Sequence, residues 1–162
     1  MSTSLKKNSI NLGIKLGLVL CLITVLIYSV NLDYFNGTKD TLYFFAMLGF
    51  GFYSIYFSKN LQNGIISFKE VFTSYFACIA VGYLIAKFGE ILIFKFIDPA
   101  AGDIIQEMVK AMLLEGGNEE YARVLDDNHY YSYFFVFNMY VTVLLVNAIF
   151  ALILALILKR SE

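Results

Sequence analysis

Residues 67–99 read SFKEVFTSYFACIAVGYLIAKFGEILIFKFIDP. From Phe68 to Ile97 the stretch is apolar almost throughout. As a helix rising 1.5 Å per residue it would be about 45 Å long, more than the ~30 Å thickness of bilayer hydrocarbon. Both ends are punctuated. Ser67-Phe68-Lys69-Glu70 fits a capping box, in which the Ser67 hydroxyl accepts from the Glu70 amide and the Glu70 carboxylate reaches back to the Ser67 amide. Asn63-Gly64, just before it, is a turn signal. At the far end Asp98 precedes Pro99, and a residue before proline disfavours the α conformation. The pattern predicts a helix over 68–97 that crosses a membrane and then tilts or protrudes.

Three further apolar runs flank it, at 10–30, 41–58 and 130–158. The second is the shortest, and its aromatic residues Tyr43, Phe44, Tyr56 and Phe57 suit anchoring at the headgroups. Composition points the same way. Of 162 residues 59% are hydrophobic and 15% charged, and mean hydropathy is +0.70. Soluble domains average about 45–50% apolar and about 25% charged residues, so this chain cannot cover itself with wetted surface. The expected fold is all-α, a single polytopic membrane domain over 1–162 with four transmembrane helices. Lys6 and Lys7 before the first run resemble a signal peptide's basic leader, but the run is long and Asn31-Leu32-Asp33-Tyr34 offers no small-x-small cleavage site. It is expected to be a retained anchor.

Charge sets the expected orientation. With the N-terminus inside, the inner ends carry Lys6, Lys7, Lys59, Lys69, Lys159 and Arg160 against Glu70 and Glu162. The other side carries Asp33, Asp40, Asp98, Asp103, Glu107, Glu115, Glu119, Glu120, Asp126 and Asp127, with Lys39, Lys95, Lys110 and Arg123 among them. Basic flanks belong on the cytoplasmic side, so both termini are expected in the cytoplasm.

Between the third and fourth runs lies a segment over 99–128. Ile104, Ile105, Met108, Val109, Met112 and Leu113 recur at helical spacing opposite Asp103, Glu107 and Lys110, which makes an amphipathic helix. Gly116-Gly117 ends it, and Asn118 can cap a second short helix to about Leu125. This pair is expected to be a lid on the protruding helix ends. It is acidic, whereas a helix seeking anionic lipid is basic.

Small residues form stripes at Gly13, Gly17, Cys21 and Thr24, at Ser74, Cys78, Gly82 and Ala86, and at Asn147, Ala151 and Ala155. Such stripes let helix backbones approach closely in lipid, and packing within one bundle is the expected use. Ionisable groups inside a membrane are functional candidates. Lys87 and Glu90 form an i, i+3 pair about 28–33 Å along the third helix, and Asn138 falls at a similar depth counted back from Lys159. The candidate polar cluster is therefore Lys87, Glu90 and Asn138, with Asn147 deeper and Thr24 its expected partner. Lys15, near the inner end of the first run, is expected to snorkel.

Other chemistries find little support. Net charge is −1 with no basic patch, so no nucleic-acid partner is expected. Cys21 and Cys78 lie within apolar runs and are expected to be inert free thiols. One histidine, His129, argues against a histidine metal site. Its neighbours Asp126 and Asp127 suggest acid–base work, but a single histidine on an outer loop is expected to be a solvated residue. No nucleotide-binding loop, serine-hydrolase or zinc-protease motif is present. Catalytic residues, metal and cofactor are all expected to be none. Asn36-Gly37-Thr38 matches a glycosylation sequon, too short a pattern to carry weight.

Gly64-Ile65-Ile66-Ser67-Phe68-Lys69-Glu70-Val71-Phe72 resembles a G-x-I-S-F-x-E-A-F stretch of a bacterial membrane family, domain of unknown function family 4199. Lys69 and Val71 stand where small residues are expected. The resemblance continues through Phe96-Ile97-Asp98-Pro99, the acidic helical segment and the closing Leu158-Lys159-Arg160. It implies a four-helix membrane protein of the bacterial inner (cytoplasmic) membrane and implies no activity. The expected role is a non-enzymatic accessory or structural component, its partners the lipid bilayer and a membrane protein or second copy. The alternative is a small oligomeric transporter or channel using polar residues of the third and fourth helices.

Overall fold

The structure, a computed structural model, describes residues 3–35, 37–127 and 129–159. Asn36 of the sequon, Arg160 and Glu162 lie outside the described residues, as do the side chains of Asp126 and Asp127. Helix α1 covers Thr3–Val30, and a single 3-10 turn at Leu32–Phe35 leads to α2, Thr38–Asn60. Helix α3, Phe68–Ile91, runs on through a widened π turn at Leu92–Ile97. Helices α4 (Pro99–Glu115) and α5 (Glu119–Asp127) follow, and α6 covers Tyr133–Leu158.

The predicted stops and starts hold in atomic detail. The Ser67 hydroxyl accepts from the Glu70 amide at 3.4 Å, and a Glu70 carboxylate oxygen accepts from the Ser67 amide at 3.0 Å. Asp98 leaves the helical region (φ −136°, ψ 79°), and its carboxylate caps α4 by accepting from the Ala101 amide at 3.1 Å, with Pro99 in the first turn. Helix α4 ends as Gly117 takes φ +74°, while the Asn118 amide donates to Leu113 O at 2.8 Å and that of Gly117 to Leu114 O at 3.1 Å. That pair of bonds is a Schellman motif, and it needs a residue that tolerates the left-handed region.

Among the described residues four helices are long and apolar enough to cross a membrane: Leu5–Val30, Thr38–Asn60, Phe68–Ile97 and Tyr133–Leu158. Helix α6 is the most apolar of them, yet only 17% of its most apolar window is buried within the chain. Leu145, Ile149, Leu156 and Ile157 stand 60% or more exposed, as do Leu18 on α1, Phe45 on α2 and Phe88 on α3. Water would not tolerate such a surface around a folded chain, and lipid does. The chain is an all-α membrane protein with four spanning helices.

Helix α3 is the hub, packed against α1, α2 and α6. The small-residue stripes make this possible. A methyl group placed on Gly13 would lie 2.8 Å from the Cys78 carbonyl oxygen, and one on Gly17 2.6 Å from Ile85 Cβ. Gly82 is shut in by Leu16 in the same way. The stripes of α1 and α3 thus face each other and pack within one chain. Ala151 and Ala155 of α6 join the same core, fully buried. A buried serine layer sits toward one end: Ser54 of α2 donates to Ser74 O at 2.8 Å, and Ser74 Oγ donates to Ser58 Oγ at 2.8 Å.

A second core lies at the opposite end, beneath the α4–α5 cap. Phe94 of the π turn is fully buried, edge-on to Phe35 (centroids 5.0 Å) and stacked on Tyr131 (5.0 Å). Ala101 and Ile105 bring α4 down onto it. Gly102 touches the Phe94 carbonyl so closely that a side chain there has no room. Tyr28 donates to Asp98 Oδ2 at 2.7 Å, tying the end of α1 to the start of the cap. This hydrogen bond, followed by that from the Ala101 amide, holds the Asp98 carboxyl below its ordinary pKa.

Candidate functional site

The strongest concentration of buried charge lies between the two cores. Glu90 of α3 is 1% exposed. Its Oε2 accepts from Lys87 Nζ at 2.7 Å and its Oε1 from Lys39 Nζ at 3.1 Å. Lys87 is 4% exposed and Lys39 3%. The Tyr43 hydroxyl donates to the same Oε1 at 3.3 Å and lies 2.6 Å from the Thr24 hydroxyl of α1. Side chains of α2 and α3 thus meet on one carboxylate, and α1 joins them through the Thr24–Tyr43 contact. Aromatic faces complete the shell: Lys39 Nζ lies 3.9 Å from the centroid of Phe35 and Lys87 Nζ 5.1 Å from that of Tyr83.

Lys87 and Glu90 were expected together because i, i+3 residues share a helix face. Lys39 was not. Beside Asp40 and near Asp33 it read as an exposed base, and its partner is 51 positions away. Tyr43, expected among the headgroups, is 3% exposed and points into the cluster, while Phe44, Tyr56 and Phe57 do face outward. Two ammoniums and one carboxylate leave the cluster with a formal charge of +1.

The other two members of the expected cluster do not join it. Asn138 is exposed, its amide donating to Phe134 O at 3.0 Å within its own helix. Asn147 is 8% exposed, and its Oδ1 accepts from Tyr75 at 3.1 Å while its amide donates to Val143 O. The expected Thr24–Asn147 contact is therefore replaced by two separate ones, Thr24–Tyr43 and Tyr75–Asn147. Direction around the helix axis separates the two asparagines. Nine positions at about 100° each turn Asn138 to the side of α6 opposite Asn147.

His129 is more than a solvated loop residue. Its Nε2 lies 2.9 Å from Asp103 Oδ1 on α4, and its Nδ1 accepts from the Tyr131 amide at 3.1 Å. It ties the start of the α6 segment to the cap. Tyr131 itself is 1% exposed, and its hydroxyl has no partner among the described residues. Burial, with the Glu90 charge adding to it, pushes its phenol pKa up.

The family model described as "Protein of unknown function (DUF4199)" matches residues 11–160, almost the whole chain. The chain belongs to that family. No curated protein and no solved structure matches it. For this DUF4199 protein the second, third and fourth spanning helices, α1 from residue 11 onward, the cap and the buried Lys39–Glu90–Lys87 cluster lie within the matched residues.

Chemically, the cluster is a clasp. A carboxylate has about four acceptor positions, and here two lysines and a tyrosine take three of them. Breaking a buried pair by removing one partner costs about 3–5 kcal/mol, because the remaining charge is left uncompensated.

Proposed function

We propose that this DUF4199 protein is a non-enzymatic accessory or structural component of the bacterial inner membrane, with both termini in the cytoplasm. One observation carries the reading. The buried charges of the spanning helices are spent on one another, Lys39 and Lys87 on Glu90, and this bond joins α2 to α3 in a closed bundle. The cytoplasmic placement is supported by Lys6, Lys7, Lys59, Lys69 and Lys159, which the alternating helices bring to one end, away from the acidic cap.

The test is the mass of the native assembly, extracted in mild detergent and separated without denaturation. A discrete complex with other membrane proteins in fixed ratio is expected. A lone monomer would overturn the reading. Reporter fusions after Lys159 and within the cap at Gly117 check orientation, with cytoplasmic activity expected for the first and not the second.

A second reading, a small oligomeric transporter or channel, is favoured by the +1 charge of the cluster, since ionisable groups within spans mark ion pathways in many transporters. Reconstituted flux that changes with Glu90→Gln would support it, and flux indifferent to that substitution would remove its basis.

A further inference from the structure

The Lys39–Glu90–Lys87 cluster holds one positive charge more than its own side chains balance. Among the described residues no second carboxylate pairs with either lysine, and Asp40, beside Lys39 in sequence, is exposed. A buried charge left uncompensated is costly, so an anion from outside the chain is called for. Lys39 is walled off from one, its Nζ 3.9 Å from the centroid of Phe35 and 5.5 Å from that of Tyr43. Lys87 is not. It lines a cleft of about 150 Å³ between α3 and α6, with Leu84, Phe88, Tyr133, Phe137 and Tyr140. An ammonium has three donors, and among the described residues Lys87 gives one of them, to Glu90. At the rim Lys95 Nζ lies 3.8 Å from the Tyr133 centroid, which brings a second cation to the same cleft.

The cleft opens at the depth of a headgroup. Glu70 and Lys159 stand at the end of the bundle away from the cap. Counted from Glu70, Lys87 is about 26 Å along α3, and counted from Lys159, Val136 on the facing wall is about 35 Å along α6. The edge of the hydrocarbon, about 30 Å from that end, falls between the two counts. Lys95 lies roughly 10 Å further out than Lys87. On the α3 count the two lysines therefore bracket the hydrocarbon edge at the cap end.

Size and walls decide what the anion is attached to. A site that encloses a small molecule holds about 300–1,000 Å³, so this cleft takes only part of its occupant. Its lips, Phe88, Tyr133 and Phe137, are 64–67% exposed on the lipid-facing surface. A free anion gains nothing from such apolar walls, whereas an acyl chain can lie along them with the rest of its molecule in the bilayer. Basic pockets between transmembrane helices bind anionic headgroups. We propose that the α3–α6 cleft binds one anionic phospholipid of the leaflet at the cap end, its phosphate at Lys87 and Lys95 and an acyl chain against Leu84, Phe88 and Phe137. A zwitterionic lipid brings its own cation and leaves the excess charge unbalanced. The inference goes beyond both functional readings and depends on neither.

The full chain in detergent is mixed with equal amounts of phosphatidylglycerol and phosphatidylcholine and repurified, and the lipid retained per chain is counted by mass spectrometry of the extract. Wild type is expected to retain phosphatidylglycerol about fivefold over phosphatidylcholine. Lys87→Met should lower that ratio about threefold or more. It leaves Lys39 and Glu90 as a neutral pair at 3.1 Å, so α2 stays bound to α3. Leu84→Trp fills the cleft with every charge in place and should lower the ratio as much, which separates loss of the site from loss of the fold. Lys69→Met, at the opposite end of the bundle, should leave the ratio unchanged. No preference in wild type, a preference that survives Lys87→Met, or an equal fall with Lys69→Met would overturn the proposal. Millimolar inorganic phosphate in the wash should displace no lipid; displacement would mark a site for free anions and overturn the lipid assignment.

Discussion

Replacing Glu90 by glutamine tests the clasp directly, because size is kept and only the charge is lost. In the native chain the cluster holds two ammoniums and one carboxylate, a formal +1. Glu90→Gln raises this to +2 in a site where all three side chains are 5% exposed or less. Removing one partner from a buried pair costs about 3–5 kcal/mol, and here two cations lose the same partner at once. At about 2–4 °C per kcal/mol for a chain of this size, the melting temperature should fall by roughly 6–20 °C. Lys39→Met makes a sharp contrast. It leaves Lys87 and Glu90 as a neutral pair at 2.7 Å, so its cost should be less than half as large. The free thiols of Cys21, half-buried, and Cys78, buried, make a built-in probe: a thiol-reactive fluorophore added in detergent reports unfolding as they become accessible. A Glu90→Gln melting temperature within 2 °C of wild type, or a Lys39→Met variant less stable than Glu90→Gln, would refute the reasoning that charge balance holds α2 to α3.

Three further outcomes are expected. Gly17→Ala would push a methyl group to 2.6 Å from Ile85 Cβ and 3.0 Å from Gly82 O; overpacking of this kind costs about 1–3 kcal/mol, seen as a lower melting temperature in the same thiol assay. A double-mutant cycle between Tyr75→Phe and Asn147→Leu should give a coupling energy of about 0.6–1.7 kcal/mol, the range for hydrogen bonds between membrane helices, and additive effects would deny that bond. Asp98 has a folded pKa held below its unfolded value, so the stability it adds is present above the unfolded value and lost as pH falls through the folded one. Amide exchange in the first turn of α4 should therefore quicken on acidification through that window in wild type and show no such dependence in Asp98→Asn.

What could be read in advance divides along a physical line. Properties local to one helix were legible. The Ser67–Glu70 box, the Asp98-Pro99 stop and the Gly116-Gly117 stop depend on neighbours within a few positions, and each formed as expected. The small-residue stripes also announced themselves, because a four-residue repeat fixes a helix face whatever it packs against. Properties that depend on which helix lies beside which were not legible. Lys39 looked like any lysine among loop acids, and only the folded chain brings it across 51 positions to Glu90. Tyr43 carried an ambiguous signal, since an aromatic ring near a helix end suits both a headgroup and a polar core. Asn138 was a different case. The half-turn that separates it from Asn147 follows from residue counting alone, so direction around α6 could have excluded it.

The shared carboxylate also bears on how the chain enters the membrane during synthesis. Helix α2 is made first and carries Lys39 with no counter-charge of its own to bury beside it, since Asp40 points elsewhere around the helix. Helix α3 arrives with Lys87 and Glu90 already matched three positions apart. Only when the two lie side by side, joined by the short 61–67 connection, does Lys39 find Glu90. The least apolar of the four spans thus has its counter-charge on its successor, and α2 is electrostatically incomplete until α3 lies beside it.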